Sequence, residues 1–130
     1  MIYTTYFAKV RSLPEGIIPI AICGKAPDGY KGLCYKKLAP KYDFFQQWKA
    51  SGDNDYYVKC FKEQILDTLN AEEVLKDLYT MVGLEELNTC DIALVCYEKP
   101  LDFCHRHLVS EWLRANDIPC AEFVFMKNKE

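Results

Sequence analysis

The sequence predicts an α/β fold. The expected form is a single small layered domain of Rossmann-like type over residues 1–130, with about four strands in a largely parallel or mixed sheet flanked by helices. Three observations lead there. Short runs rich in β-branched, aliphatic and aromatic residues occur at 2–7, 17–23, 92–96 and 120–126. Apolar residues recur at helical spacing between the later runs: Tyr57, Phe61, Ile65 and Leu69, then Val74, Leu75, Leu78, Tyr79 and Val82, then Leu108, Val109, Trp112 and Leu113. No internal repeat, flexible linker or low-complexity run interrupts the chain, and 130 residues is the length of one domain.

Taken in order, Ile2 to Phe7 reads as the first strand, followed by Lys9 and Arg11. Ser12-Leu13-Pro14-Glu15-Gly16 is turn-forming and too short for an ordinary crossover helix, which leaves the relation of the first two strands open. Ile17 to Cys23 is the second strand. Pro19 within it lacks a backbone donor, so an edge position or a start near Ile20 is expected. Gly24 to Gly32 is a Gly/Pro-rich loop of the kind that serves as a binding loop or lid, with Lys25, Lys31, Lys36 and Lys37 making the region basic. Its glycine spacing is neither a phosphate-loop nor a dinucleotide fingerprint.

Asp43 to Lys49 is expected to form a short helix, and Asp53 or Asp55 to cap the next one, whose aromatic stripe is read as core. Asn70 and Glu73 have capping-box spacing, and Gly83 suits the end of that helix. Ile92 to Cys96 is a buried strand. A polar turn, Tyr97-Glu98-Lys99-Pro100, leads to a helix from Asp102 or Phe103 to about Asn116. Asp117-Ile118-Pro119 stops that helix, and Cys120 to Met126 is the last strand.

Net charge is −3, which argues against broad duplex DNA binding and against an anionic membrane surface. No apolar run nears the roughly 20 residues of a membrane span, and Met1-Ile2-Tyr3 leads into a strand with no signal-peptide core, so a cytoplasmic location is expected. Seven cysteines without a CxxC pair do not make a secreted disulfide framework. Cys23, Cys96 and Cys120, in apolar runs, are expected to be buried thiols.

The chemistry concentrates at Cys104-His105-Arg106, where a strand end meets a helix start. With Asp102 as N-cap, Cys104 would be the second helical residue, where exposed N–H groups and the helix dipole favour a thiolate or a bound anion. Two readings stand for each residue. Cys104 is a nucleophile or a small packing residue. His105 is a general acid/base or a structural histidine. Arg106 clamps an anion or pairs with Glu98. Cys and Arg are too close in sequence for a tyrosine-phosphatase loop. The separated Cys clusters and His-x-Glu of a zinc deaminase are missing. Cys96, Cys104 and His105 match no standard metal spacing, so no metal and no other cofactor is expected.

Leu94-Val95-Cys96-Tyr97-Glu98, Pro100 and Cys104-His105-Arg106 resemble the signature of the domain of unknown function 488 family. The similarity extends through Tyr3-Thr4, Lys9-Val10-Arg11, Pro27, Tyr30, Leu38-Ala39-Pro40 and Tyr56-Tyr57. The Gly-His that many relatives carry near the first strand is replaced by Tyr3-Thr4-Thr5-Tyr6-Phe7. The resemblance implies a compact α/β domain with a pocket around the signature, and no established activity.

The function expected is an enzyme acting on a small anionic, nucleotide-like substrate. Cys104, His105 and Glu98 would be catalytic, and Arg106, Lys9, Arg11, Tyr97 and Tyr30 would bind substrate. The alternative is a non-catalytic module that uses the same pocket for an anion, a nucleic-acid end or a partner protein.

Overall fold

The computed structural model describes residues 1–83 and 91–125. Its strands are β1 (Ile2–Tyr6), β2 (Ile17–Ala21), β3 (Leu33–Cys34), β4 (Asp91–Cys96) and β5 (Cys120–Glu122). They form one sheet in the order β3-β2-β4-β1-β5. Every pairing is parallel, with Ile2 to Tyr6 opposite Ile92 to Cys96 and Ile17 to Ala21 opposite Asp91 to Val95. The helices are α1 (Tyr42–Ser51), α2 (Asn54–Gln64), α3 (Ala71–Met81) and α4 (His105–Ala115). This is the expected Rossmann-like α/β class, with five strands among the described residues instead of about four, in a wholly parallel sheet.

The additional strand, β3, is two residues long and lies just past the Gly/Pro-rich stretch, where no alternation could betray it. The first crossover, too short for an α-helix, is made by a 3-10 helix over Phe7–Ser12. Pro19 is tolerated because β3 covers only Ile20 and Ala21 of its strand. The Pro19 carbonyl accepts from the Tyr30 hydroxyl at 3.3 Å on that outer side, so the missing N–H also faces where no strand pairs.

Right-handed crossovers put connections that step in opposite directions on opposite faces of a parallel sheet. The steps from β1 to β2 and from β2 to β3 run one way. Those from β3 to β4 and from β4 to β5 run the other. Ile20, Ile22, Ile92 and Leu94 accordingly pack with Phe44, Phe61, Leu78, Val109 and Leu113 of the four helices. Burying one such side chain contributes about 1.5–3 kcal/mol. The opposite face carries a row of small side chains, Thr5, Val95 and Ala21, all fully buried. Phe7, Ala26 and Tyr30 pack near its carboxyl end.

Two helix starts follow the capping expectation. Asp53 accepts from the Tyr56 N–H and Asn70 from the Glu73 N–H, both at 3.1 Å. Helix α2 stops at Gln64 and a 3-10 turn over Leu66–Thr68 follows, so the stripe ending at Leu69 is not one continuous helix. Strand β5 ends at Glu122, although the Phe123 N–H still bonds to the Thr4 carbonyl at 2.8 Å; the remainder of the expected strand, at Met126, lies outside the described residues. No described helix is long and apolar enough to cross a membrane.

Candidate functional site

The site lies at the carboxyl ends of β2 and β4, the two strands from which the chain departs over opposite faces. This is where open α/β sheets leave a crevice. Helix α4 begins at His105, two to three residues later than expected. The Asp102 N–H closes a turn onto the Lys99 carbonyl at 3.0 Å, so Asp102 belongs to that turn. Cys104, with extended dihedral angles, is itself the N-cap. The shift places its side chain at the mouth of the helix instead of within the first turn.

A cavity of about 530 Å3 opens there. Its polar lining comes from Cys23, Lys25, Cys96, Glu98, Cys104 and His105, and its wall is aromatic, from Tyr42, Phe45, Trp48, Tyr57, Tyr97 and Phe103. The rings brace one another. Phe103 lies 5.6 Å from Trp48 and 5.1 Å edge-on from Tyr57. Tyr97 packs edge-on to Phe7 at 4.9 Å, and its hydroxyl donates to the Lys25 carbonyl, tying the 24–32 loop to the turn after β4.

On the cavity floor, His105 Nε2 lies 2.6 Å from the Ile22 carbonyl oxygen. A carbonyl only accepts, so Nε2 carries hydrogen and, in the neutral ring, Nδ1 is the acceptor. Nδ1 stands 3.6 Å from Cys96 Sγ, which in turn lies 3.7 Å from Glu98 Oε2. The ligating atoms of Cys96, Cys104 and His105 all lie within 4.8 Å of one another, and all three residues are buried.

The neighbouring Cys96 thiol, the His105 ring in its protonated form and the Arg106 backbone N–H together outweigh burial and hold the Cys104 thiol well below the ordinary thiol range. The Cys104 sulfur, with burial, pushes the Cys96 thiol up. Burial, then the Cys104 sulfur, raises Glu98 above the ordinary carboxylate range. Burial also pushes up the Tyr57 phenol and holds the Cys23 thiol at about 11.

Of the residues expected to form the site, Cys104, His105, Glu98 and Tyr97 are brought together on one cavity. The others lie elsewhere. Arg106 is fully buried and does not line it. Its guanidinium holds Glu122 through two bonds, at 3.0 and 2.9 Å, and donates to the Glu98 carbonyl at 2.6 Å. The expected Arg106–Glu98 side-chain pair is therefore replaced by a pair with β5, because Glu122 comes beside α4 once the sheet has formed. Lys9 reaches over the Phe125 ring at 5.7 Å, and Arg11 is exposed at the end of the 3-10 helix. Tyr30 packs behind Cys23 and Cys96, with its hydroxyl on the Leu33 carbonyl at 2.7 Å. Lys37 is paired with Asp77 at 3.5 Å. Among the described residues, Lys25 is the cation that lines the cavity.

The sequence assigns Tyr57 to the core and Cys96 to ordinary burial. A helical stripe has the same period whether it faces a core or a cavity, so no local signal separated them. Residues 4–117 match the family model described as DUF488-N3a, the active DUF488-N3 subclade. Nothing among curated proteins or solved structures matches the chain.

Proposed function

The chain belongs to the DUF488 family, and from that premise we propose that it is an enzyme acting on a small planar, nucleotide-like molecule bound in the aromatic-walled cavity. The observation that carries this reading is the meeting of Cys104, His105 and Glu98 on the floor of a cavity of about 530 Å3. Aromatic faces suit a flat heterocycle, since base–aromatic stacking contributes about 1–3 kcal/mol per ring. Lys25 at the rim supplies positive charge for a phosphate or carboxylate substituent, the part given to Lys9, Arg11 and Arg106 in the sequence reading. The description of the matched subclade as active is in keeping with an enzyme.

In this reading the Cys104 sulfur attacks an electrophilic carbon of the bound molecule and a C–S bond forms. The π bond between that carbon and its doubly bonded nitrogen or oxygen breaks, and its electron pair moves onto the heteroatom, which takes a proton from the Glu98 carboxyl. His105, held by the Ile22 carbonyl with its other nitrogen toward the sulfurs, takes and keeps the proton that the Cys104 thiol gives up before the attack.

The test is a panel of nucleobases, nucleosides and nucleoside monophosphates, followed by backbone amide NMR for binding and by mass spectrometry for turnover or adducts. Expected are shifts at Trp48, Phe103 and Cys104, together with a chemical change that Cys104→Ser abolishes. Binding without chemistry in the wild type would favour a non-catalytic module. A panel that leaves those amides unmoved would remove the nucleotide-like substrate.

A further inference from the structure

We propose that Cys96, Cys104 and His105 form a binding site for a soft, tetrahedrally coordinated metal ion, zinc being the divalent ion of that chemistry. Two sulfurs and an imidazole nitrogen are a soft donor set that selects zinc or monovalent copper over magnesium and calcium. The three atoms lie within 4.8 Å of one another before any ion draws them in. Zinc takes sulfur at about 2.3 Å and nitrogen at about 2.0–2.1 Å, so a tetrahedral sulfur-to-nitrogen edge is about 3.6 Å. Cys96 Sγ and His105 Nδ1 are 3.6 Å apart.

The outer partner of the imidazole fits as well. Metal-bound histidines generally donate the remaining ring N–H to a carbonyl or carboxylate, which sets the tautomer and aims the other nitrogen at the ion. His105 does this through Nε2 and the Ile22 carbonyl at 2.6 Å, leaving Nδ1 free to coordinate. Charge balances too, since two thiolates and a neutral imidazole neutralise a divalent ion in a buried position. All three residues line the cavity, so the fourth coordination position opens into it, beside Glu98. Sequence spacing concealed the set, because Cys96 ends a strand while Cys104 and His105 begin the next helix.

The inference stands apart from the enzyme reading, because the donor geometry asks nothing of a substrate. The two meet at Cys104: a filled site engages its sulfur, so the metal-loaded protein is the form in which the nucleophile is silent.

The test uses the reduced, metal-stripped full chain titrated with cobalt(II) without oxygen. Expected are one bound equivalent, a thiolate-to-cobalt charge-transfer band in the near ultraviolet and the intense visible bands of tetrahedral cobalt, all bleached by one equivalent of zinc. Cys96→Ser and His105→Gln should each weaken binding more than about tenfold. Cys34→Ser, at an exposed thiol, should leave the spectrum unchanged. Wild-type protein showing only the weak spectrum of hydrated cobalt would overturn the proposal, and that readout needs no variant to fold. Retention of the bands in Cys96→Ser, or their loss in Cys34→Ser, would overturn it as well. A chain that binds nucleotides and no cobalt would lose this inference and keep the enzyme reading.

Discussion

Arg106 and Glu122 join the start of α4 to the last residue of β5 through two parallel hydrogen bonds, at 3.0 and 2.9 Å. The guanidinium is fully buried, lies against the Tyr6 ring and also holds the Glu98 carbonyl. Glu122 in turn accepts from the Thr4 hydroxyl at 2.6 Å. One arginine therefore locks the signature turn, β1 and β5 into one arrangement. Burial opposes its charge, yet Glu122 together with the Cys104 and Cys96 sulfurs outweighs this and raises the Arg106 pKa.

Removing Arg106 leaves the half-buried Glu122 carboxylate without its partner, takes the donor from the Glu98 carbonyl and empties a fully buried position. Arg106→Ala is expected to lose about 3–5 kcal/mol of stability, read from a denaturant melt. A near-neutral result would return Arg106 to the role of a ligand clamp.

Thiol reactivity should follow access and charge. Iodoacetamide at neutral pH is expected to modify exposed Cys34 and cavity-lining Cys104 in the folded protein. Cys23 shares the cavity yet should lag, because burial holds its thiol at about 11. Cys60 and Cys120 should react only on unfolding. Peptide mapping over time checks the order, and Cys104 labelling no faster than Cys60 would defeat the nucleophile.

Phe103 is half-buried and forms part of the aromatic wall with Trp48 and Tyr57. Phe103→Ala should weaken a planar ligand by about 1–3 kcal/mol, measured by calorimetry with whichever panel compound binds the wild type. Unchanged affinity would mean that the ring is packing and not a stacking platform.

Tyr35 donates to Asp77 at 2.6 Å, and this bond, aided by Lys37, holds the Asp77 carboxyl below its ordinary value. A depressed carboxylate contributes stability that is present above its unfolded pKa, and that contribution is lost as pH falls through the lower folded pKa. In Tyr35→Phe, Asp77 should titrate closer to the reference of about 3.9. The stability gap between wild type and variant should narrow as the solution is acidified below that value. Side-chain carboxyl NMR of Asp77 follows the first effect and melts at several pH values follow the second.

Local sequence reasoning located the strand ahead of the signature, the stripes of α2, α3 and α4, the cap at Asn70, and Asp53 as one of two candidate caps. In each case the cause is local, whether a period of two or 3.6 residues or an oxygen three residues ahead of an N–H. The concentration of chemistry around Cys104 was legible for the same reason. Strand β3 was not, since two residues carry no period. The start of α4 was displaced by a turn over 99–102 that competes with the Asp102 cap.

What the sequence determined by itself is the α/β class, the helix faces and the run of residues in which Cys104 and His105 stand. What only the tertiary structure decided is which partners meet. Parallel pairing sets β4 between β1 and β2, and this brings the Ile22 carbonyl to His105. It also brings Glu122 to Arg106, where the sequence suggested Glu98. Residues 83 and 16 positions apart in the chain meet in these two contacts. Such contacts depend on strand order and crossover direction, which are properties of the assembled sheet and leave no periodic trace along the chain.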